Sequence, residues 1–257
     1  MSEPREIYLK ACCEVAAAFE LMGFRWRKSR QNAVKKQGDL TFRLWFQSSF
    51  RNALLQESFA PVQNKAAPLK SDRFMLLELT LAEIERFGNV AFMAHVSVHA
   101  ASIKKWRATL PNPIRVDDGV AGTNIGYLAS ENPAWLEVNL ANPATRQART
   151  AAMVDLITTS GFPYFNRFRH PDEVVASLID SSDPGMMDYM ELEYAVCYGS
   201  TQIGAKVLQR HLNKSSGGVD EYRRALLEYR QNGIPAALDG RPGPRLARTA
   251  LSLGIEK

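Results

Sequence analysis

The chain has 257 residues, 46% hydrophobic and 23% charged, enough to bury a large core and too apolar for bulk disorder. No apolar run approaches the roughly 18 to 20 residues that span a bilayer, and acids rather than a basic segment precede the first apolar stretch, so no membrane partner and an uncleaved, cytoplasmic protein are expected. The net charge of +5 is concentrated at the start: residues 1–52 hold ten basic residues against five acidic ones, a local +5.

In chain order, residues 3–22 predict an amphipathic helix, with Ile7, Ala11, Val15, Ala18, Phe19 and Met22 at steps of three and four and Gly23 as its stop. Two strands follow, 32–37 and 40–50, around the turn signal Gln37-Gly38-Asp39. In the second, Phe42, Leu44 and Phe46 alternate with Arg43, Trp45 and Gln47, the period of a half-buried strand. Residues 53–73 read as a long loop and 74–87 as a strand running into a helix, with Gly88-Asn89 as a break. Residues 90–100 alternate again as a strand, and shorter strands are expected at Asn124–Ala129 and Trp135–Asn139, with Asp117-Asp118-Gly119 as a turn. Beyond Pro143 the texture is helical: a helix capped by Thr145 and stopped by Gly161 and Pro163, then helices after His170-Pro171-Asp172, over Met186–Tyr198, Thr201–Leu212 and Val219–Gln231, and near Leu246–Leu253. The order predicts an α+β fold, an antiparallel sheet of about five strands with an N-terminal helix and a C-terminal set of helices. A boundary near residue 182 would separate a core domain, 1–182, from a helical subdomain, 183–257.

Two stretches carry a family resemblance. Met22-Gly23-Phe24 leads into the hairpin and then Trp45-Phe46-Gln47-Ser48-Ser49 with Asn52; later comes Gly161-Phe162-Pro163-Tyr164-Phe165-Asn166-Arg167-Phe168 before Pro171. These resemble the domain of unknown function family numbered 4304, over about residues 5–180 with 53–89 as an insertion. The resemblance implies the helix–sheet–helix order and no activity.

Chemistry is sparse. Three cysteines, two of them adjacent, fit neither a disulfide framework nor a zinc site, and no metal or cofactor is expected. His95 and His99 share one strand face with Ser97 between them, but lie roughly 13 Å apart, too far to share a metal. Ser48 and Ser49 lack a nucleophile-elbow frame. The glycines of 119–126 match no phosphate loop and read as a turn. Asp188, Glu191 and Glu193 read as one solvated helix face.

Basic and aromatic residues interleave in Arg25-Trp26-Arg27-Lys28 with Arg30, in Trp106-Arg107, and in 164–169. Trp and Arg favour binding hot spots, and Arg–aromatic surfaces also stack bases. Arg43, Trp45, Gln47, His95 and His99 should face the side of the sheet opposite its first helix, and complete the candidate binding set. The expected function is a non-catalytic protein-binding module. Its most concrete form is a bacterial immunity or antitoxin-like protein that neutralises a toxin, although inhibitors of nucleic-acid-cleaving toxins are usually acidic. One alternative is a nucleic-acid-binding component, as in genome defence, using the basic hairpin on phosphate. The other is an enzyme built around Gln47, Ser48, His95 and His99.

Overall fold

The structure is a computed structural model that describes residues 3–49, 53–54, 81–129, 133–214, 218–235 and 240–256. Helix α1 (Pro4–Ala17) opens with proline, whose missing N–H falls where a helix has no partner, and with a reciprocal capping box between Glu3 and Glu6. It buries Ile7, Tyr8, Ala11, Cys12 and Val15 along one stripe. The helix ends earlier than its periodicity predicts. A single 3₁₀ turn, Glu20–Met22, follows, turning Phe19 inward and leaving Leu21 in solvent.

The expected hairpin is β2 (Asn32–Gln37) and β3 (Leu40–Gln47), joined where Gly38 takes φ +59. It is preceded by a strand that periodicity does not reveal, β1 (Arg25–Arg27), antiparallel to β2 with Arg25 opposite Val34 and Arg27 opposite Asn32. Within the stretch read as a loop, β4 (Ala53–Leu54) pairs with β5 (Gly88–Asn89), which follows α2 (Leu81–Phe87). The strand expected over 74–80 lies outside the described residues. Strand β6 (Ala91–Ala100) is central and runs directly into α3 (Ala101–Arg107). Next come β7 (Gly119–Asn124) and β8 (Val138–Asn139). The antiparallel sheet runs β1-β2-β3-β6-β7, with β8 against the start of β6.

Two strand expectations are corrected. At Asn124 the strand ends rather than begins, because the Asn124 side chain accepts the Gly126 N–H at 2.9 Å and starts a 3₁₀ turn over Ile125–Leu128. The glycine-rich stretch from Gly119 is itself the strand, not a turn between strands. Of Trp135–Asn139, only Val138 and Asn139 pair.

Helix α4 (Pro143–Leu156) is capped by Asn142, whose side chain accepts the Ala144 N–H at 3.0 Å, so Thr145 lies within it. It does not stop at Gly161 and Pro163. The backbone widens into a π turn over Ile157–Gly161 and continues as α5 (Phe162–Arg167). In a regular helix the ring of Pro163 would strike the carbonyl four residues back; the wider turn accommodates it. Thr158 and Thr159 donate to the carbonyls of Val154 and Asp155 at 2.8 Å through the same stretch. Among the described residues that follow are the helices α6 (Pro171–Asp180), α7 (Asp188–Tyr198), α8 (Thr201–Lys214), α9 (Gly218–Asn232) and α10 (Pro242–Leu253). Among the described residues no helix is long and apolar enough to cross a membrane.

The chain groups into two compact units, Met1–Lys36, Phe42–Val96 and Thr123–Tyr164 in one, Gln37–Thr41, Ser97–Gly122 and Phe165–Lys257 in the other. In the first, the inward face of β3 meets β6 where Phe46 stacks on Phe92 at 5.4 Å, and Tyr8 of α1 lies over Phe92 at 6.1 Å. Phe19, Phe24 and Phe162 close one end, with centroids 5.0 to 6.4 Å apart. Fully burying rings of this size contributes about 2 to 3 kcal/mol each.

The second unit is organised on α7, which is buried from Tyr189 through Ala195 and packed by α3, α6, α8 and α10. This overturns the expectation of a solvated acidic face. Glu193 is fully buried and accepts from Arg107 Nε at 2.9 Å and Nη2 at 2.6 Å. Glu191, equally buried, accepts the Asp183 N–H at 2.6 Å, lies 2.7 Å from His211 Nε2, and pairs with Arg210. Half-buried Asp188 holds Arg245 through two hydrogen bonds of 2.8 and 2.7 Å. Uncompensated buried charge costs several kcal/mol, so each carboxylate is matched to a cation on a different element.

Candidate binding face

On β3 the alternation predicted from sequence is met: Phe42, Leu44 and Phe46 are buried, while Arg43 is half-buried and Trp45 and Gln47 are exposed. The indole of Trp45 stacks on the imidazole of His95 from β6, with centroids 3.8 Å apart and planes 10° from parallel. Trp135 meets the same imidazole edge-on at 5.4 Å and 65°. The histidine is 4% exposed, whereas Trp45 is 37% and Trp135 51% exposed. Two tryptophans thus roof a buried histidine and keep much of their own surface in solvent.

The position of Trp135 is built by its neighbours. Asn124 is buried and acts as a bracket, accepting the Leu136 N–H and donating to the Leu136 carbonyl, both at 3.0 Å. Gly126 makes the close approach possible, since a Cβ there would overlap the Ala134 carbonyl oxygen and sit 2.6 Å from Leu136 Cβ. Trp135 did not enter the sequence-predicted set. It lies between a proline and a two-residue strand, where no periodicity gives a direction.

His95 Nε2 has no hydrogen-bond partner among the described residues, and burial pushes the imidazole pKa down to about 4. The ring is therefore neutral at neutral pH and serves as a flat, desolvated element between two indoles.

The basic segment takes a different form. Arg25 and Arg27 of β1 are exposed, as are Lys28 and Arg30 in the 3₁₀ turn that follows. Trp26 is half-buried, packs on Phe46 at 5.8 Å, and its Nε1 finds no acceptor among the described residues. The turn ends at Gln31, held at φ +47, whose side chain accepts from the Tyr8 hydroxyl at 2.8 Å. That hydroxyl is kept protonated by burial, and burial pushes the neighbouring Cys12 thiol up to about 12. The free thiols are thus inert core groups at Cys12 and surface or half-buried groups at Cys13 and Cys197.

Other sequence-predicted residues lie elsewhere. Trp106 is half-buried on α3, and Arg107 is completely buried, so it is no recognition residue. Besides holding Glu193, it donates to the carbonyls of Asp117 and Gly119 at 2.9 and 2.8 Å. Ser48 donates to the Ser49 carbonyl at 3.4 Å, and Asn52 lies outside the described residues. His99 belongs to the second unit, with Ser97 Oγ at 3.1 Å from its Nε2 and Asp118 Oδ1 at 2.9 Å from its Nδ1. His170 is exposed before α6. No group of three or more His, Cys, Asp or Glu side chains among the described residues is arranged to hold a metal. No known protein family, curated protein or solved structure matches the chain.

Proposed function

We propose that the chain is a protein-binding module that presents the Trp45–His95–Trp135 face to a partner protein. An immunity or antitoxin-like inhibitor of a toxin is the most concrete form of that role. The observation that carries the reading is the pair of exposed indoles flanking a desolvated imidazole. Such a surface offers large apolar area that is already held in place, so little conformational entropy is lost when a partner covers it. Arg43 and Gln47, beside Trp45 on the same strand face, supply polar groups of the kind that rim a hot spot.

The test is capture from the native host by the wild-type chain and by the double variant Trp45→Ala/Trp135→Ala, with mass spectrometry and nucleic-acid detection on the same eluate. A protein retained by the first and lost by the second supports the reading; a partner set unchanged by the double variant removes it.

A second reading rests on a separate observation. Arg25, Arg27, Lys28 and Arg30 are four exposed cations within six residues, with no acid between them. A nucleic-acid component would place these on phosphates, and its affinity would fall steeply with salt. Salt-insensitive behaviour towards DNA and RNA excludes it.

A further inference from the structure

We infer that Ser97, His99 and Asp118 form a nucleophile–base–carboxylate relay that makes Ser97 reactive towards acyl and phosphonyl electrophiles. This activity goes beyond the binding reading and uses different residues. Ser97 and His99 lie two apart on β6, so their side chains leave the same face of the strand. The distances are 3.1 Å from Ser97 Oγ to His99 Nε2 and 2.9 Å from His99 Nδ1 to Asp118 Oδ1. A carboxylate can only accept, so in the neutral ring the Nδ1 position carries the proton and Nε2 accepts from the serine hydroxyl. That is the tautomer a general base needs, and this constellation is recognised by geometry and roles rather than by order in the chain.

The backbone that carries the carboxylate is held at three successive residues. The Asp118 carbonyl accepts the Ala100 N–H at 2.8 Å, which ties the turn to the end of β6. On either side, the carbonyls of Asp117 and Gly119 are both held by the buried guanidinium of Arg107, itself anchored on Glu193. Asp117 in turn accepts the Gly119 N–H at 2.8 Å and holds Arg115. A histidine that only tied two strands together would need one such bond; here both ring nitrogens are engaged in the directional sense of a proton relay. Ser97 and His99 are half-buried rather than sealed, so the serine oxygen remains within reach of a small reagent.

With a carboxylic ester, Ser97 Oγ would bond the carbonyl carbon and its proton would pass to His99 Nε2. The alcohol would then leave, taking that proton, and water would hydrolyse the acyl-serine by the same route in reverse. Asp118 is a positioning residue, since its part in the relay is to hold the imidazole.

The test uses an alkyl fluorophosphonate on the intact chain. Ser97 Oγ bonds phosphorus, the P–F bond breaks, fluoride leaves, and the serine proton passes through His99 to solvent. The expected result is a single adduct mapped by peptide mass to Ser97, formed at least about 100-fold faster in the native protein than in the same protein unfolded in urea. Ser97→Ala abolishes the adduct and His99→Gln slows it about 100-fold or more. Asp118→Asn slows it with an unchanged thermal midpoint, and Asp118→Glu recovers part of the rate. The comparison of native with unfolded wild type stands even where a variant fails to fold. Labelling of Ser97 at the unfolded rate, or no faster than labelling of Ser102, overturns the inference.

Discussion

Trp45 lies flat on His95, with 3.8 Å between ring centroids and 10° between planes. The contact couples an exposed aromatic surface to a titratable group whose Nε2 has no hydrogen-bond partner among the described residues. With a pKa of about 4 in the fold against about 6.5 in an open chain, the unfolded state takes up the proton first as pH falls. Stability is therefore fully present above pH 6.5 and is lost between 6.5 and 4, by on the order of 3 kcal/mol. Urea midpoints from pH 7.5 to 4.5 should fall more steeply for the wild type than for His95→Gln. Parallel profiles would show that this histidine does not carry the loss.

The same stacking predicts a spectroscopic effect. Trp45→Ala removes one wall of the site and lets water reach the imidazole, so the His95 pKa should climb from about 4 towards 6.5. An NMR titration of the ring protons reads this directly. Because Trp135 is 51% exposed, Trp135→Ala should cost no more than about 1 kcal/mol of stability while moving the pKa in the same direction.

Arg107 and Glu193 should behave as a unit. Removing either alone, as Arg107→Met or Glu193→Leu, leaves a buried charge and should cost about 3 to 5 kcal/mol, whereas the double variant should recover much of that loss. A chemical-denaturation cycle measures the coupling; additive losses would mean that the two sites do not communicate.

Gly126→Ala forces a methyl group onto the Ala134 carbonyl and Leu136. A loss of about 1 to 3 kcal/mol is expected, with a changed Trp135 fluorescence as the loop shifts. An unchanged midpoint would mean that the bracket at Asn124 can yield without cost.

Charge reversal of Arg25, Arg27 and Lys28 to Glu should change stability by no more than about 0.5 kcal/mol per site, because none of the three is buried. Under the nucleic-acid reading the salt slope of binding should flatten by about 0.9 for each phosphate contact removed. Under the protein-binding reading through Trp45 and Trp135, partner capture should survive.

Elements whose burial is decided locally were legible. The alternation Phe42–Gln47 gave both the strand and the side on which Trp45 would stand, and the spacing of His95, Ser97 and His99 gave their common face. What could not be read was burial decided at long range. Glu191 and Glu193 look like surface charges until α7 is covered on all sides, and Arg107 meets Glu193 across 86 residues of chain. Pro163 reads as a stop because a regular helix cannot hold it; a π turn can, and nothing in the local pattern announces one. Asp118 was visible as a turn residue, but its place beside His99 depends on how β7 pairs with β6.

The interleaved make-up of the two units bears on how the chain reaches this state. Each is assembled from three separate stretches, and the second takes residues 37–41 and 97–122 as well as everything from 165 onward. During synthesis α3 emerges with Arg107 long before Glu193 exists to receive it, so that guanidinium must wait in water. Closing contacts over such separations is slow and exposes apolar surface in the interval. The chain should therefore refold late and cooperatively rather than piece by piece, and fragments cut at a single point should associate poorly.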